Sequence, residues 1–366
     1  MKIAILTFFE SENYGTVLQA YATQKYLETL GHTAELIHLK REVNGHSSHY
    51  VRVCKKVTFF EKVQYKIVSY LRKKDIQGKS KKFVDFREKY LRVSRYYESA
   101  EELKKDLGEY DLFVSGGDQI WNPYHKVFSL HYMFDFLPEG QPRVAYGSSF
   151  GVSSIQDGLI LSQMNEELKK YNAIGVREES GIEIIRKMGL DAVQVVDPVF
   201  LIRERWRNFV TERPRKKKYC LVYALIGYPQ TENHEIVEFA KKRKLEIVIL
   251  PFNRQNCLNG FDKQFGLSPQ EFLNYISHAE YVFTNSFHGL AFSILFKKQF
   301  TLLGCDSEEG IAKRERLVDL LAQFEIGERS FATIGNDINY DAVDELLQVR
   351  VDKSKQYMQN ALREKE

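Results

Sequence analysis

"EYVFTNSFHGLAFSILFKKQFTLLG", residues 280–304, reads as a strand, a polar turn, an apolar helix and a second strand. "EYVF" is a short apolar run of strand length. "GLAFSILF" is too apolar on every side to face water, and "QFTLLG" returns to a strand pattern. A strand that passes through a helix into another strand is a βαβ unit, with parallel strands buried on both faces. The turn holds Asn285, Ser286, His288 and Gly289, so an amide, a hydroxyl and an imidazole stand between two apolar elements.

The same alternation extends outward from this unit. "SPQEFLNYISHA" (268–279) is a helix that Ser268 can cap, with Pro269 in its first turn and Glu271 at the spacing of a capping box. "YCLVYALIG", "NHEIVEFAKKRK" and "LEIVILPF" precede it as strand, helix and strand, and "AKRERLVDLLAQF" follows as a helix. An earlier series opens with strand "KIAILTF", a helix through "TVLQAYATQKYLETL" stopped at Gly31, and strand "TAELIHL". It resumes with strands at "YDLFVSG", "PRVAYGSS", "NAIGVR" and "AVQVVDPV".

Two series in 366 residues predict two Rossmann-like, doubly wound α/β domains facing a cleft. The expected domains are 1–200 and 218–335, with a helical insertion at about 45–105 in the first. A polar linker at 201–217 and a charged helical tail at 336–366 complete the expectation.

Composition narrows the function. Lys and Arg number 53 against 49 Asp and Glu, a formal charge of +4. The basic runs "LRKKDIQGKSKK" and "RPRKKK" lack the motifs of a nucleic-acid reader, so no nucleic-acid partner is expected. They read as solvated segments, with weak attraction to an anionic membrane surface as the alternative. Cys54, Cys220, Cys257 and Cys305 have neither zinc-ligand spacing nor a C-x-x-C pair and are expected to be reduced. The N-terminus lacks the form of a signal peptide, and no apolar run has the length of a membrane span. A cytoplasmic protein is expected, with the inner face of the membrane as a site of association.

In an open parallel sheet the informative residues follow the strands. "ENYGT" places Asn13, Tyr14 and Gly15 at a helix start. "VSGGDQIWNP" gives Gly116, Gly117, Asp118, Gln119, Trp121 and Asn122: two glycines that permit close backbone approach, with a carboxylate beside them. "YGSSFG" adds Ser148 and Ser149. "GVREES" adds Arg177 and Glu178, and "VVDPVF" puts Asp197 before a proline. No G-x-G-x-x-G follows the first strand and no Walker A sequence occurs, which disfavours dinucleotide and P-loop chemistry.

Taken in order, "NYGTVLQAYA", "VSGGDQIWNP", "YGSSFG", "VREES", "VVDPVF" and "TNSFHGLAFSILFKKQF" resemble the polysaccharide pyruvyl transferase family. The similarity runs from the first strand to about residue 325. It implies a GT-B-like fold and transfer of pyruvate from phosphoenolpyruvate onto the hydroxyls of a sugar or lipid-linked glycan, forming a ketal. Phosphoenolpyruvate would be a co-substrate, and neither cofactor nor metal is implied. His288 matches the family's histidine block, where characterised relatives carry Arg-Leu-His. Here the triplet is Ser286, Phe287 and His288, so the arginine is replaced. Arg177 matches the family's donor-binding arginine, with Asn285, Ser286 and Gly289 completing the expected donor site.

The chemistry asks for a proton donor to the enol methylene, which His288 can supply, and a base for the attacking hydroxyl, for which Asp118 is the candidate. Asn13, Tyr14, Gly15, Gly116, Gly117, Gln119, Trp121, Asn122, Ser148, Ser149 and Glu178 are the expected acceptor-side or cleft-lining residues. Two rival readings share the fold. One is a GT-B glycosyltransferase using a nucleotide sugar, and the other is a non-catalytic sugar- or anion-binding protein.

Overall fold

The computed structural model describes residues 1–41, 70, 73–252, 261–305 and 308–363. Most of the amino-terminal part of the expected insertion, together with Cys54 and Cys257, lies outside these residues. The chain divides into two compact units. The first takes in the described residues of 1–51, 87–202 and 347–366, and the second those of 52–86 and 203–346.

The first unit is built on a seven-stranded sheet. Its strands are β1 (Lys2–Leu6), β2 (Thr33–Leu39), β3 (Val93–Tyr97), β4 (Leu112–Ser115), β5 (Arg143–Ser148), β6 (Ala173–Val176) and β7 (Val193–Gln194). The second unit holds a five-stranded sheet of β8 (Tyr219–Tyr223), β9 (Glu246–Ile249), β10 (Asp262–Lys263), β11 (Tyr281–Thr284) and β12 (Phe300–Leu302). Every pairing in both sheets is parallel. The helices among the described residues are α1 (Tyr14–Thr29), α2 (Lys73–Tyr90), α3 (Ala100–Leu103), α4 (Gly158–Leu168), α5 (Glu179–Lys187) and α6 (Pro198–Leu201). They continue as α7 (Gln230–Arg243), α8 (Pro269–His278), α9 (Phe287–Leu295), α10 (Glu308–Gln323) and α11 (Tyr340–Arg363).

The strand orders locate the functional edge. The first sheet runs β3-β2-β1-β4-β5-β6-β7 and the second β10-β9-β8-β11-β12. The winding direction reverses between β1 and β4 in one and between β8 and β11 in the other. Outside the carboxyl ends of such neighbouring strands, connections diverge and leave a crevice.

Two features depart from the sequence reading. Strand β3 lies inside the stretch read as a helical insertion. It is an edge strand in which Arg95 and Tyr96 are exposed, so it carries no apolar alternation to betray it. The polar segment read as a linker contains a 3-10 helix, Arg203–Phe209, anchored by the fully buried Trp206. Its indole meets Phe292 of α9 edge-on at 5.1 Å.

The charged tail is helical, as its pattern predicts, and it is packed. Within the first unit α11 buries Leu347, Val351, Ser354, Met358, Ala361 and Leu362, a stripe at three- and four-residue spacing. The Ser354 hydroxyl accepts from the Val196 N–H at 3.0 Å, and the Tyr357 hydroxyl donates to the Ala145 carbonyl at 2.8 Å. No helix among the described residues is long and apolar enough to cross a membrane. Cys220 is buried, and burial pushes its thiol up to about 12, so it is unreactive.

Gly175 in β6 lets α11 dock. A Cβ there would lie 2.7 Å from Tyr357 Cε1 and 3.0 Å from the Ala145 carbonyl oxygen. Gly175→Ala is expected to destabilise the protein by about 1–3 kcal/mol through overpacking. Adding Tyr357→Leu should restore part of that loss, as measured by urea denaturation, whereas purely additive losses would deny the contact.

Candidate active site

Every singled-out block of the first unit converges at the carboxyl edge of its sheet. The Thr7 hydroxyl, just past β1, donates to the Gly117 carbonyl at 2.7 Å. Thr16, in the first turn of α1, donates from its hydroxyl to Asp118 Oδ2 at 2.6 Å. This joins the "NYGT" block to the glycine pair across the switch point between β1 and β4. Ser148 Oγ donates to the Ser115 and Gly116 carbonyls, and the Ser149 N–H donates to the Asp118 carbonyl at 3.1 Å. The Arg177 N–H then reaches the Ser148 carbonyl. Cβ atoms added at Gly117 and Gly147 would stand 3.2 and 3.3 Å from the Pro198 ring. Glycine is therefore what lets "VVDPVF" close against the other turns.

The centre of this knot is charged. Arg177 Nη1 lies 2.8 Å from Asp197 Oδ2, and Arg177 Nε lies 3.7 Å from Glu178 Oε2. Arg177 is 2% exposed. Burial opposes its charge, but the carboxylates of Glu178, Asp197 and Asp118 outweigh it, so the guanidinium holds its proton more tightly than in water. Glu178 also accepts from Ser149 Oγ at 2.5 Å and from the Gly151 N–H at 2.9 Å through one oxygen. Its second oxygen is buried without a hydrogen-bond partner.

Several expected ligand contacts are occupied by this architecture. Arg177, read as a grip on the donor, is turned into the sheet edge against Asp197. Trp121 belongs to the core, with its ring edge-on to Phe150 and Tyr171 and its N–H on the Tyr132 carbonyl. Asn13 caps α1 by accepting from Gly15 and Thr16, and Tyr14 is buried. Asn122 donates to Gln119 Oε1 and accepts from the Tyr124 N–H. Asp118 and Gln119 remain half-exposed. Asp118 also has φ +70°, a left-handed conformation that aspartate tolerates better than most residues.

The polar turn of the second unit answers the question its sequence raises. Asn285 ties three strand ends together: its Oδ1 accepts from the Leu225 N–H at 2.9 Å, and its Nδ2 donates to the Ile226 and Gly304 carbonyls. Ser286 caps α9, its Oγ accepting the Gly289 N–H at 3.2 Å. The N–H of Gly289, a residue of the expected donor site, is therefore used within the cap. Gly289 is glycine because a Cβ would fall 2.4 Å from Thr284 Oγ1 and 3.0 Å from the Tyr223 ring. His288 stands in the first turn of α9, 7% exposed, with Phe287 at 5.3 Å. The turn lies after β11, at the switch point beside β8.

Thr7, Thr16, Gln19 and Thr284 escaped the sequence reading. Gln19 Nε2 donates to Thr7 Oγ1 and to the Phe8 and Thr16 carbonyls, all within buried surroundings. Their roles appear only once the strands are paired, since no local motif marks them.

Residues 13–307 match the family model described as polysaccharide pyruvyl transferase. The chain belongs to that family. No functionally curated protein matches it significantly. Among solved structures it is similar to UDP-GlcNAc 2-epimerase from Methanocaldococcus jannaschii, at 12% identity and TM-score 0.51, covering 96% of this chain and 93% of that one. A complex of that organism's enzyme with UDP-GlcNAc and UDP matches at 13% identity and TM-score 0.50, covering 99% of both chains. UDP-N-acetylglucosamine 2-epimerase from Rickettsia bellii matches at 8% and 0.52, covering 99% and 96%. Likeness at these identities concerns fold alone. The fold of this pyruvyl transferase family member is the GT-B-like α/β type with two parallel sheets.

In this family member, removing either partner of the buried Arg177–Asp197 pair strands the other. Arg177→Ala and Asp197→Ala are each expected to cost about 3–5 kcal/mol. The double substitution should cost less than their sum, because one pair is lost rather than two. Denaturant midpoints of the four proteins check this, and strict additivity would show the pair to be uncoupled.

Proposed function

We propose that this protein moves pyruvate from phosphoenolpyruvate onto two hydroxyls of a sugar, giving a pyruvate ketal and inorganic phosphate. The observation that carries the reading is the position of His288. It occupies the first turn of a buried helix at the switch point of the five-stranded sheet, inside the segment that matches the family. Histidine is the side chain most often used as a general acid in such a step.

His288 delivers a proton to the methylene carbon of the donor, which becomes a methyl group and leaves the adjacent carbon cationic. A sugar hydroxyl adds there and passes its proton to Asp118. The carbon–oxygen bond to phosphate then breaks, and a second hydroxyl closes the ketal, its proton leaving with phosphate. Asp118 suits the role of base because it is half-exposed, and its carboxylate is oriented by Thr16 Oγ1. Arg177 serves to hold the Asp118 turn, as its burial against Asp197 supports. The dipole of α9 favours the donor's phosphate at its amino-terminal end.

His288→Gln should fold normally and lose roughly 100- to 10,000-fold in turnover, the usual contribution of a general acid. Near-normal turnover in the folded variant would reduce His288 to a structural residue. Phosphoenolpyruvate should also raise the melting temperature where UDP at equal ionic strength does not. A ligand at a hundredfold excess over its Kd adds about 2.7 kcal/mol to the folded state. A larger shift with UDP would replace this reading with that of a nucleotide-sugar enzyme.

A further inference from the structure

A concavity of about 400 Å³ opens at the carboxyl ends of β2 and β3 in the first unit, apart from the residues assigned above. Lys40, Arg41, Glu98, Ser99, Ala100 and His131 line it. Three of its polar side chains are matched to carboxylates within hydrogen-bond range. Lys40 meets Glu98 at 2.8 Å, Arg41 Nε meets Glu10 at 2.9 Å, and His131 meets Asp135 at 2.6 Å. Among the described residues the cavity therefore sets donors beside acceptors around no large net charge, which suits a polyhydroxyl ligand better than a phosphate or carboxylate. One donor has no post: Arg41 Nη2 is buried without a hydrogen-bond partner. The Arg41 side chain as a whole is 24% exposed, so its guanidinium presents N–H donors to a ligand oxygen at the cavity wall.

The cavity shares an edge with Asp118. In the sheet order, β2 lies two places from β4, so at about 4.8 Å per strand its end is roughly 10 Å from that of β4. The connection after β4 spans the gap, because it carries Asp118 at one end and His131 further along. Tyr132, next to His131, is buried. Burial pushes its hydroxyl up to about 12, with Arg41 opposing and Glu10 and Asp118 reinforcing.

We infer that this cavity is a second saccharide subsite, holding a neutral sugar residue of an extended acceptor whose reacting residue lies at Asp118, with Arg41 as its principal hydrogen-bond donor. The identity of the ligand as acceptor rests on the transferase reading, whereas the saccharide site itself stands on the cavity. Chain length rather than charge of the acceptor would then set affinity.

The test begins with the full chain on an array of neutral and acidic glycans. The best neutral binder is then titrated by calorimetry as its monosaccharide, disaccharide and trisaccharide forms. Affinity should rise about tenfold or more with length in the wild type, a change of one decade in Kd. Arg41→Ala, and Ser99→Tyr as a plug that leaves Arg41 in place, should flatten that rise. The monosaccharide affinity and the melting shift with phosphoenolpyruvate should stay unchanged in both variants. A flat wild-type series, binding of acidic glycans alone, absence of glycan binding, or a rise that survives the Ser99→Tyr plug would each overturn the inference. If phosphoenolpyruvate fails to bind while the length dependence and its loss in the variants persist, the transferase reading falls and the saccharide subsite stands.

Discussion

The buried contact between Arg177 and Asp197 is the constraint around which the first unit's edge is arranged. A guanidinium withdrawn from water is tolerable only when carboxylates surround it, and Asp197, Glu178 and Asp118 do so from three separate turns. Each turn is fixed in its register by that demand. Glu178 holds the "SSFG" turn, Asp197 brings Pro198 over Gly117 and Gly147, and Asp118 reaches Thr16 at the start of α1. Asp118 can keep a left-handed backbone because its surroundings determine it several times over. Thus a structural ion pair orients the one half-exposed carboxylate assigned to chemistry in this unit.

The two switch points solve a similar local problem with similar means. In the first unit a threonine hydroxyl past a strand end, Thr7, donates to the carbonyl of Gly117. In the second, Thr284 donates to the carbonyl of Tyr223 at 2.6 Å. Each arrangement depends on a glycine with no space for a Cβ, and each ties two neighbouring strands where their connections part. Beside each cross-link stands a side chain given a proton-transfer role in the proposed reaction: half-exposed Asp118 in one turn and buried His288 in the other. A base and an acid are the two groups that addition of a hydroxyl to an enol requires.

Much of this was legible in the residues. Alternating apolar strands and helices gave the two-sheet architecture, and the unusual polar turns marked the strand ends where they meet. What the pattern could not reveal depended on partners far along the chain. "VSRYY" forms a strand because β2 offers an edge, and nothing in its own alternation says so. Trp206 anchors a segment whose surrounding charges suggest a free linker. The amide of Asn285 looks like a ligand contact until Leu225 and Ile226 are seen beside it. Polar residues at a strand end are ambiguous by nature, because the backbone groups released there need partners as much as a ligand does.

The most direct measurement is transfer from phosphoenolpyruvate to a saccharide in deuterated water, with the product followed by mass spectrometry and NMR. Protonation of the enol methylene by an exchangeable imidazole puts a solvent deuteron into the new methyl group. The account predicts a ketal bearing deuterium in that methyl, formed by the wild type and lost in His288→Gln. A pyruvylated product without methyl deuterium would contradict the proton transfer assigned to His288. Turnover of a nucleotide sugar, with no ketal formed from phosphoenolpyruvate, would contradict the transferase account itself.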